Sequence, residues 1–220
     1  MSRSEQAWQI MRDAILSGRL GPGTALKTSD LQDLCGMSVS PVREALARLV
    51  ATGLVTAEHN RGYHVASLSA DDLNDLVATR IREESWALQR SIELGDEMWE
   101  ARIISSLHII QRLPREKPTD PILYDRQWEL RHADFHQALI SECGSKVTLA
   151  FCHTLRDQND HYRRLSLTVE NGRRNAGEEH NDIAQAAINR DAKKAVDALA
   201  QHYNETARYL LETANEGLLR

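Results

Sequence analysis

Residues 35–49, with the sequence CGMSVSPVREALARL, decide the fold of the N-terminal part of this chain. The glycine suits the end of one helix, either Ser38 or Ser40 can cap the next one, and Pro41 is tolerated in a first helical turn. The apolar residues that follow repeat at helical spacing and form one stripe: Val42, Ala45, Leu46, Leu49 and Val50. We therefore predict a helix over residues 39–52 that follows a tight turn.

Two shorter helices precede this one. Apolar residues spaced three and four apart predict a first helix from Glu5 to Leu16. Thr28 or Ser29 can cap a second helix, which Gly36 closes. Two helices joined by such a turn are typical of a helix-turn-helix, whose second helix can enter the major groove of DNA.

Two short strands come next, over residues 54–57 and 62–66, and a polar tip at residues 58–61 joins them as a β-hairpin. A hairpin at this place after a helix-turn-helix is a wing. Small and polar residues at 67–70 predict a hinge. The pattern therefore predicts a winged helix-turn-helix DNA-binding domain over residues 1–66.

The remaining residues, 71–220, have a helical pattern and no strand signal, and we expect them to form one domain. Helices are predicted over residues 70–94, 97–113, 122–142, 145–166, 175–190 and 192–215. Helices of this length with short connections form an antiparallel bundle, here of six to seven helices. The predicted fold class is mainly α: three helices and a hairpin wing, followed by an all-α bundle.

Composition and charge narrow the classes of function. The net charge is −5, and residues 1–66 carry seven Lys/Arg against six Asp/Glu, so charge permits DNA binding there without demonstrating it. The three cysteines lie far apart with no CxxC pair, which argues against a zinc ribbon or a disulfide framework. Because there is no long apolar run and no signal-peptide pattern, we expect a cytoplasmic protein with no membrane association.

Outward positions on the 39–52 helix and at the wing tip are the candidate DNA contacts. Arg43 lies one turn into the helix, where its guanidinium can donate two hydrogen bonds to guanine, and serines near the helix start suit phosphate contacts. The candidate DNA-binding residues are Ser38, Ser40, Arg43, Arg48, Arg61 and Gly62. From the residues alone an alternative stays open, in which Arg43 and Arg48 belong to a solvated helix face.

The motifs PVREAL at residues 41–46, GLV at 53–55 and RGYHV at 61–65 closely resemble the GntR family of winged-helix repressors. The DNA contacts that this resemblance implies are Ser38, Ser40, Arg43, Arg61 and Gly62. Two positions depart from the family pattern, because Ser29 and Val39 stand where members often have arginine. This departure predicts an operator preference that differs from that of the best-known members.

Four histidines in the second domain are candidate metal ligands. His132 and His136 lie four residues apart on one helix face, with Cβ atoms about 5–6 Å apart, which one metal ion can bridge. His180 and His202 lie in two later helices, so four imidazoles can converge on zinc, nickel or a similar ion. Chance is the alternative, because the chain has nine histidines. We expect the other five to be surface or packing residues: His59, His64, His108, His153 and His161.

The second domain resembles the helical effector domain of the FadR-like subgroup, called FCD. The resemblance lies in Arg80 and Glu84, which have the family's RxxxE spacing, and in the segments FHQALI, HNDIAQAAINRDAKKA and ALAQHY. Metal-binding members hold the ion with three histidines and an aspartate four residues before the first of them, where this chain has His132. The resemblance implies a divalent transition metal, zinc or nickel, with His136, His180 and His202 among its ligands. With His132 in the aspartate's place, the alternatives are a site of four imidazoles and a site without metal.

The same resemblance implies a small carboxylate effector beside the metal. Arg80 resembles the family's pocket arginine and can bind a carboxylate bidentately, although a surface ion pair with Glu83 or Glu84 is the alternative. Tyr162 and Arg163 are further candidates for contacts to the effector.

These observations predict a ligand-responsive transcriptional regulator, a homodimeric repressor that leaves a palindromic operator when its carboxylate effector binds. The chain is not expected to be an enzyme. Two alternatives stay open: a regulator that responds to the metal alone, and a metalloenzyme. An enzyme needs a general base near the metal, and the nearby candidates, Glu129 and Asp134, are not well placed.

Overall fold

The structure of the chain is a computed structural model, and it describes residues 1–58, 62–67, 69–112, 126–167 and 176–214. In the last two segments, side chains are described for residues 128–162 and 176–212.

The described part of the N-terminal domain contains three helices and a small antiparallel sheet. Its elements are α1 (Arg3–Leu16), β1 (Ala25–Leu26), α2 (Thr28–Cys35), α3 (Val39–Ala51), β2 (Val55–Glu58) and β3 (Gly62–Val65). β3 is the central strand, with β2 on one side and β1 on the other. β1 was not predicted, because only two residues pair there, Ala25 with His64 and Leu26 with Tyr63. The wing is therefore a three-stranded sheet built on the predicted hairpin.

The helix-turn-helix follows the predicted pattern, but neither expected side-chain cap is made. Ser38 holds the N-cap position of α3 without a capping hydrogen bond, and Ser40 lies inside that helix. Gly36 has a φ of 63° in the left-handed region and ends α2, so the chain turns at once toward α3. The expected cap at Thr28 or Ser29 is wrong: both residues lie inside α2, and the N-cap position is Lys27, whose side chain makes no capping hydrogen bond.

The C-terminal domain is all helical in its described residues. Its elements are α4 (Ala70–Leu94), α5 (Glu97–Arg112), α6 (Arg126–Ile140), α7 (Lys146–Leu167), α8 (Ala176–Ile188) and α9 (Ala192–Ala214). Ser69 caps α4 by accepting a hydrogen bond from the backbone N–H of Asp72 at 3.0 Å. The described residues thus form the helical bundle that the sequence pattern predicted.

Each domain has its own hydrophobic core. In the N-terminal domain, α1 packs on α3, and Met11, Leu46 and Leu49 are fully buried between them. In the C-terminal domain, α4 and α9 pack together and so do α5 and α6, with Trp99 and Phe135 fully buried. The separate cores place the candidate DNA contacts in one domain and the candidate metal ligands in the other.

Helix α7 of the second domain contacts the first. Arg12 of α1 donates from Nε and Nη2 to the two carboxylate oxygens of Asp157, at 3.1 and 2.6 Å. His161 Nε2 lies 3.2 Å from the carbonyl oxygen of Ala66, the residue just before the predicted hinge. A bidentate Arg–Asp pair is directional, so these contacts fix the orientation of α1 relative to α7.

Gly53 is a position where a side chain should disturb this interface. Its φ is 75°, and a Cβ would lie 2.5 Å from Gln158 Nε2, which donates to the carbonyl oxygen of Thr52 at 2.8 Å. We expect Gly53→Ala to lower the free energy of unfolding by about 2–3 kcal/mol, because it combines left-handed strain with the loss of that hydrogen bond. Gly36→Ala is the matched control, since its φ is 63° but no atom lies within 4 Å of a Cβ there.

Urea denaturation of both variants checks this prediction. Gly36→Ala should lower the free energy of unfolding only by the cost of a left-handed backbone at a residue with a Cβ, about 1–2 kcal/mol. Equal losses in the two variants would show that the contact between Gln158 and Thr52 adds nothing to stability.

Candidate metal centre and DNA-binding surface

The start of α3 presents three of the candidate DNA contacts to solvent. Ser38, Ser40 and Arg43 are exposed, and the hydroxyl of Ser40 lies 3.5 Å from a carboxylate oxygen of Glu44. Gly62, at the start of β3, is also exposed and has a φ of 85°, which favours glycine. These positions agree with a recognition helix and a wing that approach DNA together.

Arg48 is placed differently from the other candidates. Its Nη1 donates to Glu5 Oε2 at 2.6 Å, and its guanidinium lies 4.5 Å from the ring centre of Trp8. Both partners belong to α1, so Arg48, although its side chain is 46% exposed, is held against the neighbouring helix. Arg61, at the wing tip, lies outside the described residues.

The four predicted metal ligands converge in the centre of the second domain. α6 carries His132 and His136, α8 carries His180 and α9 carries His202; all four are buried, and one ring nitrogen of each lies within 4.8 Å of the other three. The Nε2 atoms of His132 and His136 are 3.2 Å apart. Zn–N bonds of about 2.0–2.1 Å in a tetrahedral site put donor atoms roughly 3.4 Å apart, so the spacing of these two nitrogens fits two ligands of one small divalent ion.

Other side chains contact the outer nitrogens of two of these rings. His202 Nδ1 lies 2.7 Å from Glu179 Oε2 of α8. His136 Nδ1 lies 3.2 Å from the hydroxyl of Tyr203, which donates to Glu84 Oε2 at 2.6 Å. Neither Glu179 nor Tyr203 was predicted to contact the histidines, because these contacts run between helices and depend on how the helices pack.

Arg80 lies beside this cluster and is buried, not at the surface. Its Nε donates to Glu84 Oε1 at 2.9 Å, and its guanidinium lies 4.1 Å from the ring centre of Tyr203. The ion pair with Glu84 that the sequence left open is therefore present, but in the interior. Burial by itself lowers the pKa of Arg80, yet the nearby Glu84 and Tyr203 outweigh it and raise the pKa, so the arginine stays charged. Burial, above all, raises the pKa of Tyr203 well above its usual value.

The structure does not bring Tyr162 to the histidines. Tyr162 is buried against the start of α4, with a hydrogen bond to the backbone of Ser69, about 16 Å along that helix from Arg80. Its place is the junction between the domains. The side chain of Arg163 lies outside the described residues.

Two histidines that were expected to be surface or packing residues lie at the domain junction. His161 is buried and faces the carbonyl oxygen of Ala66, and His153 Nδ1 is 3.7 Å from a carboxylate oxygen of Asp157. Several registers of α7 fit its apolar pattern, so the sequence could not indicate which face meets the first domain.

The stability of the metal-free protein should depend on pH through His136. Burial, and then the other three histidines and Arg80, lower its pKa well below 6.5. The unfolded chain therefore takes up this proton first as pH falls below about 6.5, and the folded state loses stability down to the lowered pKa. We expect a fall in the free energy of unfolding of up to about 1.4 kcal/mol per pH unit from this residue.

Chemical denaturation of the chelator-treated protein, at a series of pH values from about 7.5 down to about 5, measures this effect. His136→Gln should flatten the profile. An unchanged profile in the variant would assign the pH dependence to other groups.

Within the described residues, no helix combines the length and the apolar character needed to cross a membrane. Comparison with protein families places two matches on the chain. The family described as bacterial regulatory proteins of the gntR family matches residues 3–65, and the FCD domain matches residues 75–205.

Several known proteins are similar to this chain over nearly its whole length. An uncharacterized HTH-type transcriptional regulator, BphR of Paraburkholderia xenovorans, is 40% identical over 98% of this chain and 87% of its own length. The HTH-type transcriptional repressor GlaR of Escherichia coli is 31% identical over 90% of this chain and 91% of its own. The match to the solved structure of E. coli McbR/YncC covers 98% of this chain and 100% of that chain, with a TM-score of 0.81. Because the two sequences are 20% identical, this match shows a shared fold and nothing more.

Proposed function

The chain belongs to the GntR family of bacterial regulatory proteins and carries an FCD domain, and from this premise we propose that it is a repressor released from its operator by a small carboxylate. As a member of this family it is a DNA-binding transcriptional regulator and not an enzyme, which removes the metalloenzyme alternative. The observation that carries the proposal is the convergence of four buried histidines from three helices. We infer that they hold a divalent transition metal, zinc or nickel.

When bound, an ion that accepts more ligands than the four imidazoles would supply a Lewis-acid position for a carboxylate oxygen. Arg80 supports the choice of an anionic effector, because it is a buried cation beside the cluster. Only Nε of its guanidinium is used in the hydrogen bond to Glu84, and the group has two further nitrogen atoms that can donate to a carboxylate.

Contacts along α7 support a route from this centre to the DNA-binding domain. Arg156 Nη1 donates to the carbonyl oxygen of Ala133 and to Gln137 Oε1, at 3.4 and 3.3 Å, on the helix that carries two of the histidines. The next residue, Asp157, holds Arg12 of α1. A shift of α6 on effector binding would thus reach α1 through two adjacent residues of α7.

We further propose that two copies of the chain bind a palindromic operator, with one recognition helix in each half-site. An effector changes operator affinity only if it binds the two domain arrangements unequally. Release therefore requires preferential binding to the arrangement whose helices do not match the half-site spacing.

A second candidate function is a regulator that responds to the metal alone. Four imidazoles complete a tetrahedral zinc site, and a closed site of that kind leaves no position for an effector. An ion with a higher coordination number keeps such positions. If the ion is zinc, four histidine ligands favour a regulator that responds to the metal alone. If the ion is six-coordinate, they favour a regulator that responds to a carboxylate.

The test combines thermal shift with operator binding. Metal-loaded and chelator-treated protein are screened against small mono- and dicarboxylates, and an operator is selected from random DNA by repeated binding and amplification. We expect one acid to raise the melting temperature of the metal-loaded form only and to weaken operator binding. An acid that binds tightly but leaves operator affinity unchanged would sink the repressor-release proposal, and an effect of metal without any acid would favour the metal-only regulator.

A further inference from the structure

We propose that Glu179 and the Tyr203–Glu84 pair are positioning residues, which set the ring nitrogens through which His202 and His136 face the centre of the four-histidine cluster. The inference rests on the proposed metal-binding function, but the hydrogen bonds that support it are contacts between side chains of the protein. Glu179 contacts Nδ1 of His202, and Tyr203 contacts Nδ1 of His136.

The contact between Glu179 and His202 fixes one proton. An ionised carboxylate only accepts hydrogen bonds, so the 2.7 Å contact requires that His202 Nδ1 carries the hydrogen. This holds whether the ring is neutral or charged. In the neutral ring, the nitrogen that presents a lone pair is then Nε2, on the side of the ring away from Glu179.

Two successive hydrogen bonds likewise determine which ring nitrogen of His136 carries the hydrogen. Tyr203 has one hydroxyl proton, which it donates to Glu84 Oε2 at 2.6 Å. The tyrosine oxygen is then the acceptor for His136 Nδ1–H at 3.2 Å. The lone pair of the ring is thereby placed on Nε2, which lies 3.2 Å from the Nε2 of His132.

Glu84, which accepts the hydrogen bond from Tyr203, is itself held in place. Arg80 donates to the other oxygen of Glu84, and both side chains are at least 96% buried, since their exposures are 4% and 3%. The ion pair keeps Glu84 an acceptor, so the direction of the tyrosine hydroxyl is determined. The two positioning arrangements come from different helices, α8 on one side and α4 with α9 on the other.

The expected consequence is a cluster in which two of the four histidines, His136 and His202, are already oriented before an ion enters. A ligating histidine whose outer N–H is bonded has a fixed tautomer and ring orientation, and loss of such a partner typically costs about 10–100-fold in metal affinity. Glu179→Ala and Tyr203→Phe should each lower the affinity by that factor.

The probe is Co²⁺, whose affinity is measured by competition with a chromophoric chelator and whose visible spectrum reports the coordination geometry. Glu179→Gln should restore most of the affinity lost in Glu179→Ala, because the amide oxygen still accepts from Nδ1–H. Asp182→Ala removes the same charge from an exposed position of α8 and should bind Co²⁺ like the unaltered protein. Melting curves of the metal-free variants establish that each one folds.

A second readout needs no metal. Long-range ¹H–¹⁵N correlation spectra of the chelator-treated protein should show His202 protonated at Nδ1, with this preference lost in Glu179→Ala and kept in Glu179→Gln. Co²⁺ affinity and tautomer both unchanged in Glu179→Ala would overturn the inference. If the unaltered protein binds no Co²⁺, the proposed metal function fails, and the tautomer spectra alone decide whether Glu179 positions the ring.

Discussion

Replacement of His136 by alanine is expected to lower the affinity for a divalent transition metal by more than about 100-fold, a larger effect than loss of an outer partner produces. His136 is the ligand nearest to His132 and the one held through Tyr203, so its removal takes away a donor and leaves the tyrosine hydroxyl without its imidazole partner. Chelator competition with Zn²⁺, Ni²⁺ or Co²⁺ measures the affinity directly.

The same variant should also lose the stabilisation that the metal gives. An ion present at 100 times its Kd raises the free energy of unfolding by about 2.7 kcal/mol, and this gain falls to about 0.4 kcal/mol or less when the affinity drops 100-fold or more. His108→Ala is the matched control, because His108 is exposed on α5 and outside the cluster. Equal metal affinity in the two variants would mean that the convergence of the histidines is a packing arrangement only.

Replacement of Arg43 by alanine is expected to weaken operator binding by about 1–3 kcal/mol at each half-site, roughly 5- to 150-fold. Arg43 is exposed near the start of α3, and a bidentate contact to guanine O6 and N7 cannot be replaced by a methyl group. Fluorescence anisotropy with the selected operator, at one fixed salt concentration, measures the loss.

Arg48→Ala is the control for this experiment. Arg48 is held by Glu5 and Trp8 of α1, so its removal should change operator affinity much less than removal of Arg43. Arg43→Ala should also reduce discrimination between operator and unrelated DNA, because base contacts carry specificity and phosphate contacts do not. A uniform loss on both DNAs would place Arg43 on the phosphate backbone, and equal losses for the two arginines would contradict the assignment of the recognition surface.

Local signals in the sequence predicted the elements of the fold closely. The helix predicted over residues 70–94 is Ala70–Leu94 in the structure, because a capping serine precedes it and a glycine follows it. The two-residue strand β1 escaped prediction, since two residues carry no alternation and their pairing with β3 is long-range. Arg48 is exposed, as its outward position in the helix predicted, and its role as a DNA contact stays a prediction; helical periodicity could not show that Glu5 and Trp8 lie beside it.

The sequence by itself determined the two kinds of domain, the exposed start of the recognition helix and the pair His132 and His136, because these depend on residue spacing within one element. Only the tertiary structure decided which other groups meet that pair. Glu84 and Tyr203 are 119 residues apart, and they touch because α4 packs on α9. Likewise, the meeting of Arg12 with Asp157 depends on which face of α7 turns toward α1. Contacts of this kind are set by how whole helices pack, and such packing leaves no pattern in either segment alone.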